Sequence, residues 1–139
     1  LSSGEKRKLA LASALMTGPE VLILDEPTAG MDGLGRSELL RVLGALEDTS
    51  VVLVTHNLED FLEVVDRVVG LVDGRVVFDL PRDQLVSRLE SIETAGIELP
   101  LVLRVQAWLA QAGWQPEQPV FGMAALLELL DQHLTRHHD

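Results

Sequence analysis

The chain has 139 residues, 47% apolar and 24% charged, a balance that supports a folded core and excludes a disordered, solvating chain. Asp and Glu number 22 against 11 Lys and Arg, giving a formal charge of −11 that argues against nucleic-acid binding, because phosphate contacts need clustered positive charge. There is no cysteine, hence no disulfide, thiolate metal site or Cys nucleophile, and aliphatic runs such as Val21-Leu22-Ile23-Leu24 fall far short of the roughly 20 residues that span a bilayer.

In chain order, Glu5 to Thr17 carries Leu9, Ala12 and Leu15 or Met16 at helical spacing, and Gly18-Pro19 ends that helix. Val21 to Leu24 and Ser50 to Thr55 read as short strands buried on both faces. Between them Leu39, Leu40, Leu43 and Leu46 mark a second helix, and Leu58 to Val65 a short third one. Arg67 to Val72 and Arg75 to Phe78 flank Asp73-Gly74, a strong hairpin signal. Strand, helix, strand, helix and hairpin predict an α/β fold with parallel strands and an antiparallel edge hairpin. Beyond Asp79 the pattern is helical only, with apolar stripes at Leu85, Leu89 and Ile92, at Leu101, Val105, Trp108 and Ala112, and at Met123, Leu126, Leu127, Leu130 and Leu134. Two domains are therefore expected, 1–79 and a helical extension at 80–139. The opening at Leu1, without an initiator Met or a signal-peptide pattern, implies a piece of something longer.

Three groups of residues carry chemistry. Leu1-Ser2-Ser3-Gly4-Glu5 precedes a helix, and it reads either as a capping box between Ser2 and Glu5 or as a phosphate site at a helix N-terminus. Asp25-Glu26 leaves the end of the first strand, where α/β proteins place their ligands. Asp25 suits Mg²⁺ and Glu26 the deprotonation of an attacking water, against the alternative of a polar strand exit closed by Pro27. Thr55-His56 leaves the second strand at the same sheet edge, where an imidazole could donate to a transferring phosphoryl group, against the alternative of an ordinary loop histidine. In this order the three make a phosphoryl-transfer layout. His133 and His137 have the i, i+4 spacing of metal ligands but lack a third ligand beyond His138 and Asp139, so dipole-favoured histidines at a helix end are the plainer reading. Lys6-Arg7-Lys8 puts positive charge in a first helical turn, which hints at a nearby anion or is simply solvated.

At these residues the sequence resembles a known family. LSSGEKRKLALASAL is similar to the signature motif of ATP-binding cassette ATPases, VLILDEP to their Walker B strand, TAGMD to their D-loop and VTHN to their H-loop. The resemblance implies a P-loop NTPase fold, with ATP and Mg²⁺ as nucleotide and metal. It implies that Ser2, Ser3, Gly4 and Glu5 lie against ATP held by a partner subunit, and that Asp25 positions Mg²⁺. Glu26 would be the general base, His56 would contact the γ-phosphate, and Asp32, with Ala29 and Gly30, would cross a dimer interface. Ser3 stands where the family has Gly, Glu5 where it has Gln, Met31 where it has Leu and Gly33 where it has Pro. The chain holds no G-x-x-x-x-G-K-[ST] P-loop, so by itself it is not expected to bind ATP tightly or turn it over. The tail, with PRDQL, AGIELPLVLRVQAWLAQAGW and AALLELL, resembles energy-coupling-factor ATPases, which drive uptake of vitamins or of cobalt and nickel ions. That implies an ATPase working as a dimer with a second ATPase subunit and integral membrane subunits at the cytoplasmic membrane face, without nucleic acid. Two other readings stand beside it: the carboxyl-terminal lobe of a chromosome-maintenance or DNA-repair ATPase head, which the charge and tail disfavour, and a non-catalytic regulatory module.

Overall fold

The structure, a computed structural model, describes residues 2–136. The chain separates between Val64 and Val65 into two compact units.

In the first unit, helix α1 (Ser3–Leu15) is followed by strand β1 (Val21–Asp25), helix α2 (Gly33–Gly44) and strand β2 (Ser50–Val54), then by a 3-10 turn at Leu58–Asp60. Strands β1 and β2 pair in parallel from Val21 opposite Ser50 to Asp25 opposite Val54, so both carboxyl ends finish at one edge. The expected burial of both sheet faces is not what forms. Leu22 is buried, whereas Val21, Ile23, Val52 and Val54 are exposed, Ile23 at 68%. Exposed residues alternate with buried or half-buried ones along both strands, as in a one-sided sheet. The stripe read from sequence on α1 is corrected in part: Leu9, Ala12 and Met16 are exposed, while Leu15, its other member, is half-buried with Leu11 and Ala14, and the three line an apolar hollow with Leu22, Leu24 and Leu39. On α2 the buried residues are Gly35, Leu39 and Leu43, one helical stripe. The helix expected over Leu58 to Val65 is a single 3-10 turn followed by the buried side chains of Phe61 and Leu62.

The second unit opens with the hairpin β3 (Arg67–Val72) and β4 (Arg75–Pro81), a two-stranded antiparallel sheet of its own. Asp73 and Gly74 turn it with φ of 49° and 73°, the left-handed pair that a two-residue turn of matching twist demands. Two 3-10 turns at Arg82–Gln84 and Val86–Arg88 lead into α3 (Leu89–Thr94), α4 (Leu101–Gln111) and α5 (Met123–Arg136). The core here is Leu85, Ile92, Leu99, Val102, Leu103 and Leu126. On α4 the apolar stripe read from sequence is mostly outward: Leu101, Trp108 and Ala112 are exposed and Val105 is half-buried, while the buried side is Val102, Leu103 and Gln106. Gln106 is 1% exposed and tolerated there because its amide is fully engaged. Its Nε2 donates to the Val102 carbonyl at 3.0 Å and the Val120 carbonyl at 2.6 Å, and its Oε1 accepts the Val120 N–H at 2.9 Å. That clamp ties the segment before α5 to α4.

Candidate active site

The site grows from the shared edge of β1 and β2. Asp25 is the last residue of β1 and Glu26 the first beyond it, with its N–H donating to the Val54 carbonyl at 2.8 Å. Glu26 has φ 43°, a left-handed conformation that costs a non-glycine residue about 1–2 kcal/mol. Such strain persists where the surroundings over-determine it, and here the carboxylate is held from three directions. Oε1 accepts the His56 N–H at 3.0 Å and lies 2.7 Å from His56 Nδ1, while Oε2 accepts the Thr55 hydroxyl at 3.3 Å. The loop is set in turn by the Asn57 N–H, which donates to Thr55 Oγ1 at 3.0 Å.

The His56 ring beside it, then its backbone N–H and the Thr55 hydroxyl, hold the Glu26 carboxyl below the ordinary carboxylate range against the opposing effect of partial burial. An ionised carboxylate only accepts hydrogen bonds, so Nδ1 carries the proton that faces Glu26. This leaves Nε2 on an imidazole side chain that is 86% exposed, directed at whatever approaches the edge. The two Glu26 oxygens are unequal. Oε1 has two short partners and Oε2 one long one, so Oε2 keeps the lone pair with which a carboxylate takes a proton from water.

Asp25 is exposed, and its side chain has no hydrogen bond or ion pair within the described chain. Among the described residues no group of three or more His, Cys, Asp or Glu converges to hold a metal unaided. A lone exposed carboxylate at a strand end fits Mg²⁺, which is held by one or two carboxylates with waters and substrate phosphates completing its shell.

The other sequence-picked residues lie at two helix starts. Ser2 caps α1 in a complete capping box: its Oγ accepts the Glu5 N–H at 3.2 Å, and its own N–H donates to Glu5 Oε2 at 2.7 Å. The Ser3 and Gly4 amides are first-turn groups with no intrahelical acceptor. A Cβ on Gly4 would meet nothing within 4 Å, so this end of the helix is open to an incoming group. Capping box and anion-accepting amides thus coexist. Leu1 of the signature lies outside the described residues, as do His137, His138 and Asp139 of the histidine cluster, and His133 has its ring 5.3 Å from that of Trp114. Asp32 is the N-cap of α2, its carboxylate accepting the Gly35 N–H at 2.8 Å.

The structure therefore joins Glu26 with His56 directly, while Ser2 and Glu5 bond to one another and Asp32 to its own helix. Two of the three positive residues after Glu5 already have partners. The Arg7 guanidinium donates to the Ala29 carbonyl, and Lys8 pairs with Glu38 at 2.6 Å, which fastens α1 to the turn before α2 and to α2 itself. The bond of Thr55 to Glu26, that of Arg7 to Ala29 and the ion pair between Arg36 and Asp60, at 2.8 Å, were not picked out from sequence.

A parallel strand pair with a carboxylate pair and a histidine at one edge, and a helix N-terminus built on Ser-Ser-Gly, form a mixed α/β arrangement consistent with the carboxyl-terminal part of a P-loop NTPase domain. The sequence profile of the ABC transporter family matches residues 1–29. The chain is 34% identical over 137 residues to the energy-coupling factor transporter ATP-binding protein EcfA2 of Clostridium perfringens, covering 94% of this chain and 48% of that protein. It is 40% identical over 116 residues to the EcfA2 of Symbiobacterium thermophilum, covering 82% and 40%. The structure of cbiO1 from Clostridium perfringens, described as part of the ABC transporter complex cbiONQ, superposes with a TM-score of 0.56 at 31% identity, over 76% of this chain and 43% of that one. The chain thus resembles the carboxyl-terminal part of ABC transporter ATP-binding subunits, those of energy-coupling-factor type among them. It spans less than half the length of these relatives. Among the described residues no helix is long and apolar enough to cross a membrane.

Proposed function

We propose that the chain is the carboxyl-terminal part of the ATP-hydrolysing subunit of an ABC-type uptake transporter of the energy-coupling-factor kind. Residues 1–79 would complete an ATPase domain and residues 80–139 a helical extension. The observation that carries the reading is the Glu26 carboxylate, ionised and aimed by Thr55 and His56 at the carboxyl edge of two parallel strands. Water attacks the γ-phosphorus of ATP, a P–O bond forms, and the bond to the ADP oxygen breaks as Glu26 Oε2 receives the proton. Because its hydrogen bonds lower its basicity, Glu26 contributes as an always-ionised, fixed acceptor more than as a strong base. His56, through Nε2, contacts the γ-phosphate. Asp25 would hold Mg²⁺, which neutralises charge on the phosphates when bound.

The nucleotide's phosphates would be cradled by a P-loop elsewhere in the whole protein. Ser2, Ser3, Gly4 and Glu5 would face the ATP of a second ATPase subunit, and Asp32, with Ala29 and Gly30, the interface between the two. The partners are that subunit, identical or not, and integral membrane subunits, at the cytoplasmic face of the membrane. Glu26→Gln in the complete protein tests the reading, since it keeps the shape of the side chain and removes its charge. It should still bind ATP and lose hydrolysis by at least about a hundredfold. Near-normal phosphate release by the variant would remove Glu26 as the proton acceptor.

A further inference from the structure

Asp60 is a buried carboxylate that the proposed chemistry does not use. Its side chain is 7% exposed, on the 3-10 turn four residues beyond His56, and Arg36 Nη1 donates to its Oδ1 at 2.8 Å. Arg36 lies in the second turn of α2, its N–H bonded to the carbonyl of Asp32, the residue that caps the helix. The pair therefore spans the two chain segments that leave the sheet edge: the turn into α2, and the loop carrying Thr55 and His56. Every side-chain bond that orients Glu26 comes from that second segment. Upstream the segment is fixed by the ladder of β2 with β1. Downstream the first charged anchor is Asp60, just before the buried Phe61 and Leu62.

We infer that Arg36 and Asp60 are positioning residues: a clasp that fixes the His56 loop against helix α2 and thereby aims the Glu26 carboxylate. Neither touches a reacting atom; they act through Thr55 and His56. The catalytic role of Glu26 rests on the function proposed above, but the clasp itself is a statement about geometry and can be read without nucleotide. A further feature makes Arg36 a usable handle. Its Nε is buried without an acceptor, so the guanidinium is held by one bond to Asp60 and not by full satisfaction of its donors. A lysine lacks that orphaned donor and keeps the charge, so Arg36→Lys should fold even if Asp60→Asn does not.

The experiment uses the complete protein carrying these residues, ¹⁵N-labelled at histidine, with Asp60→Asn, Arg36→Lys and the reference variant Glu26→Gln. Without nucleotide, the His56 Nδ1 resonance should move in Glu26→Gln, and Asp60→Asn should move it in the same direction. Arg36→Lys should give a smaller displacement. A His56 resonance identical to wild type in folded Asp60→Asn, or in Arg36→Lys where the first variant does not fold, overturns the clasp. With ATP, Asp60→Asn should lower kcat on the order of ten- to a hundredfold, the effect of a misaimed group, with KM within about twofold. Arg36→Lys, which keeps a cation beside Asp60, should lose far less. A loss in Asp60→Asn matched by a raised KM, and equal in Arg36→Lys, marks a general structural defect and overturns the positioning role. A wild-type protein that hydrolyses no ATP overturns the proposed function, while the His56 resonances still decide the clasp.

Discussion

Glu5 puts a negative charge at the start of α1, where the resemblance leads one to expect a neutral glutamine. The Ser2 N–H, then its hydroxyl, holds the carboxyl below its ordinary value of 4.5, so it is ionised at neutral pH beside the Ser3 and Gly4 amides. An anion approaching those amides meets helix dipole and hydrogen-bond donors in its favour and Glu5 against it. Glutamine makes the same capping box without the charge. Glu5→Gln in the complete protein should therefore lower KM for ATP about two- to fivefold, as removal of one exposed like charge allows. The gain should shrink in high salt; an unchanged KM in low salt would place the phosphates elsewhere. The pH dependence has a fixed sign. With the folded pKa lowered, the capping contribution of Glu5 is fully present above about 4.5 and is lost as pH falls through the lowered folded value. Ser2→Ala should bring the Glu5 titration, followed by carboxyl NMR, back toward 4.5. Glu26 and His56 were legible because their motifs are local runs of two to four residues. The bond of Arg7 to the Ala29 carbonyl and the Arg36–Asp60 pair were not, because the partners lie 22 and 24 positions away and nothing local in the sequence points to them.

The hairpin and the helices that follow it turn on one close approach. Gly70 faces Phe78 across β3 and β4, where the register also shifts, and a Cβ there would lie 2.2 Å from the Phe78 ring and 2.6 Å from the end of Ile97. Gly70→Ala must push the ring aside and should destabilise the protein by about 1–3 kcal/mol, as overpacking does. Gly44, at the end of α2, has nothing within 4 Å of the same position. Gly44→Ala should be neutral or stabilising by up to about 1 kcal/mol through helix propensity. Denaturant melts of both variants check the contrast, and equal shifts would contradict it. Element order and the Asp73-Gly74 turn could be read from sequence because they depend on neighbours in the chain. Which face of α4 turns inward could not. Gln106 looks polar and Trp108 apolar, but the backbone groups of Val120, which are 14 residues on, satisfy the glutamine and so permit its burial. On α1, alternating Leu and Ala supplied two helical stripes of similar apolarity, and packing kept Leu15 of the one read from sequence and turned Leu9 and Ala12 outward.

Across the molecule the least settled surface is the open face of the parallel pair. Parallel strands are ordinarily covered on both faces, and two strands alone do not make a stable sheet. Here Val21, Ile23, Val52 and Val54 are exposed, and the matching relatives are more than twice as long as the aligned region. If the chain is part of such an ATPase subunit, the same side chain has two environments, and one substitution separates them. Ile23→Thr keeps a β-branched side chain, so strand propensity is preserved while apolar surface is removed. In the 139-residue chain it should change stability by no more than about 0.5 kcal/mol, as an exposed substitution does, and it should weaken binding of a hydrophobic dye. In the complete protein it should cost about 1–3 kcal/mol, because a hydroxyl would then be buried in place of a well-packed ethyl group. Denaturant melts of both lengths give the comparison. A small change in both would mean the face stays open in the whole protein, and the parallel pair would then need some other source of stability.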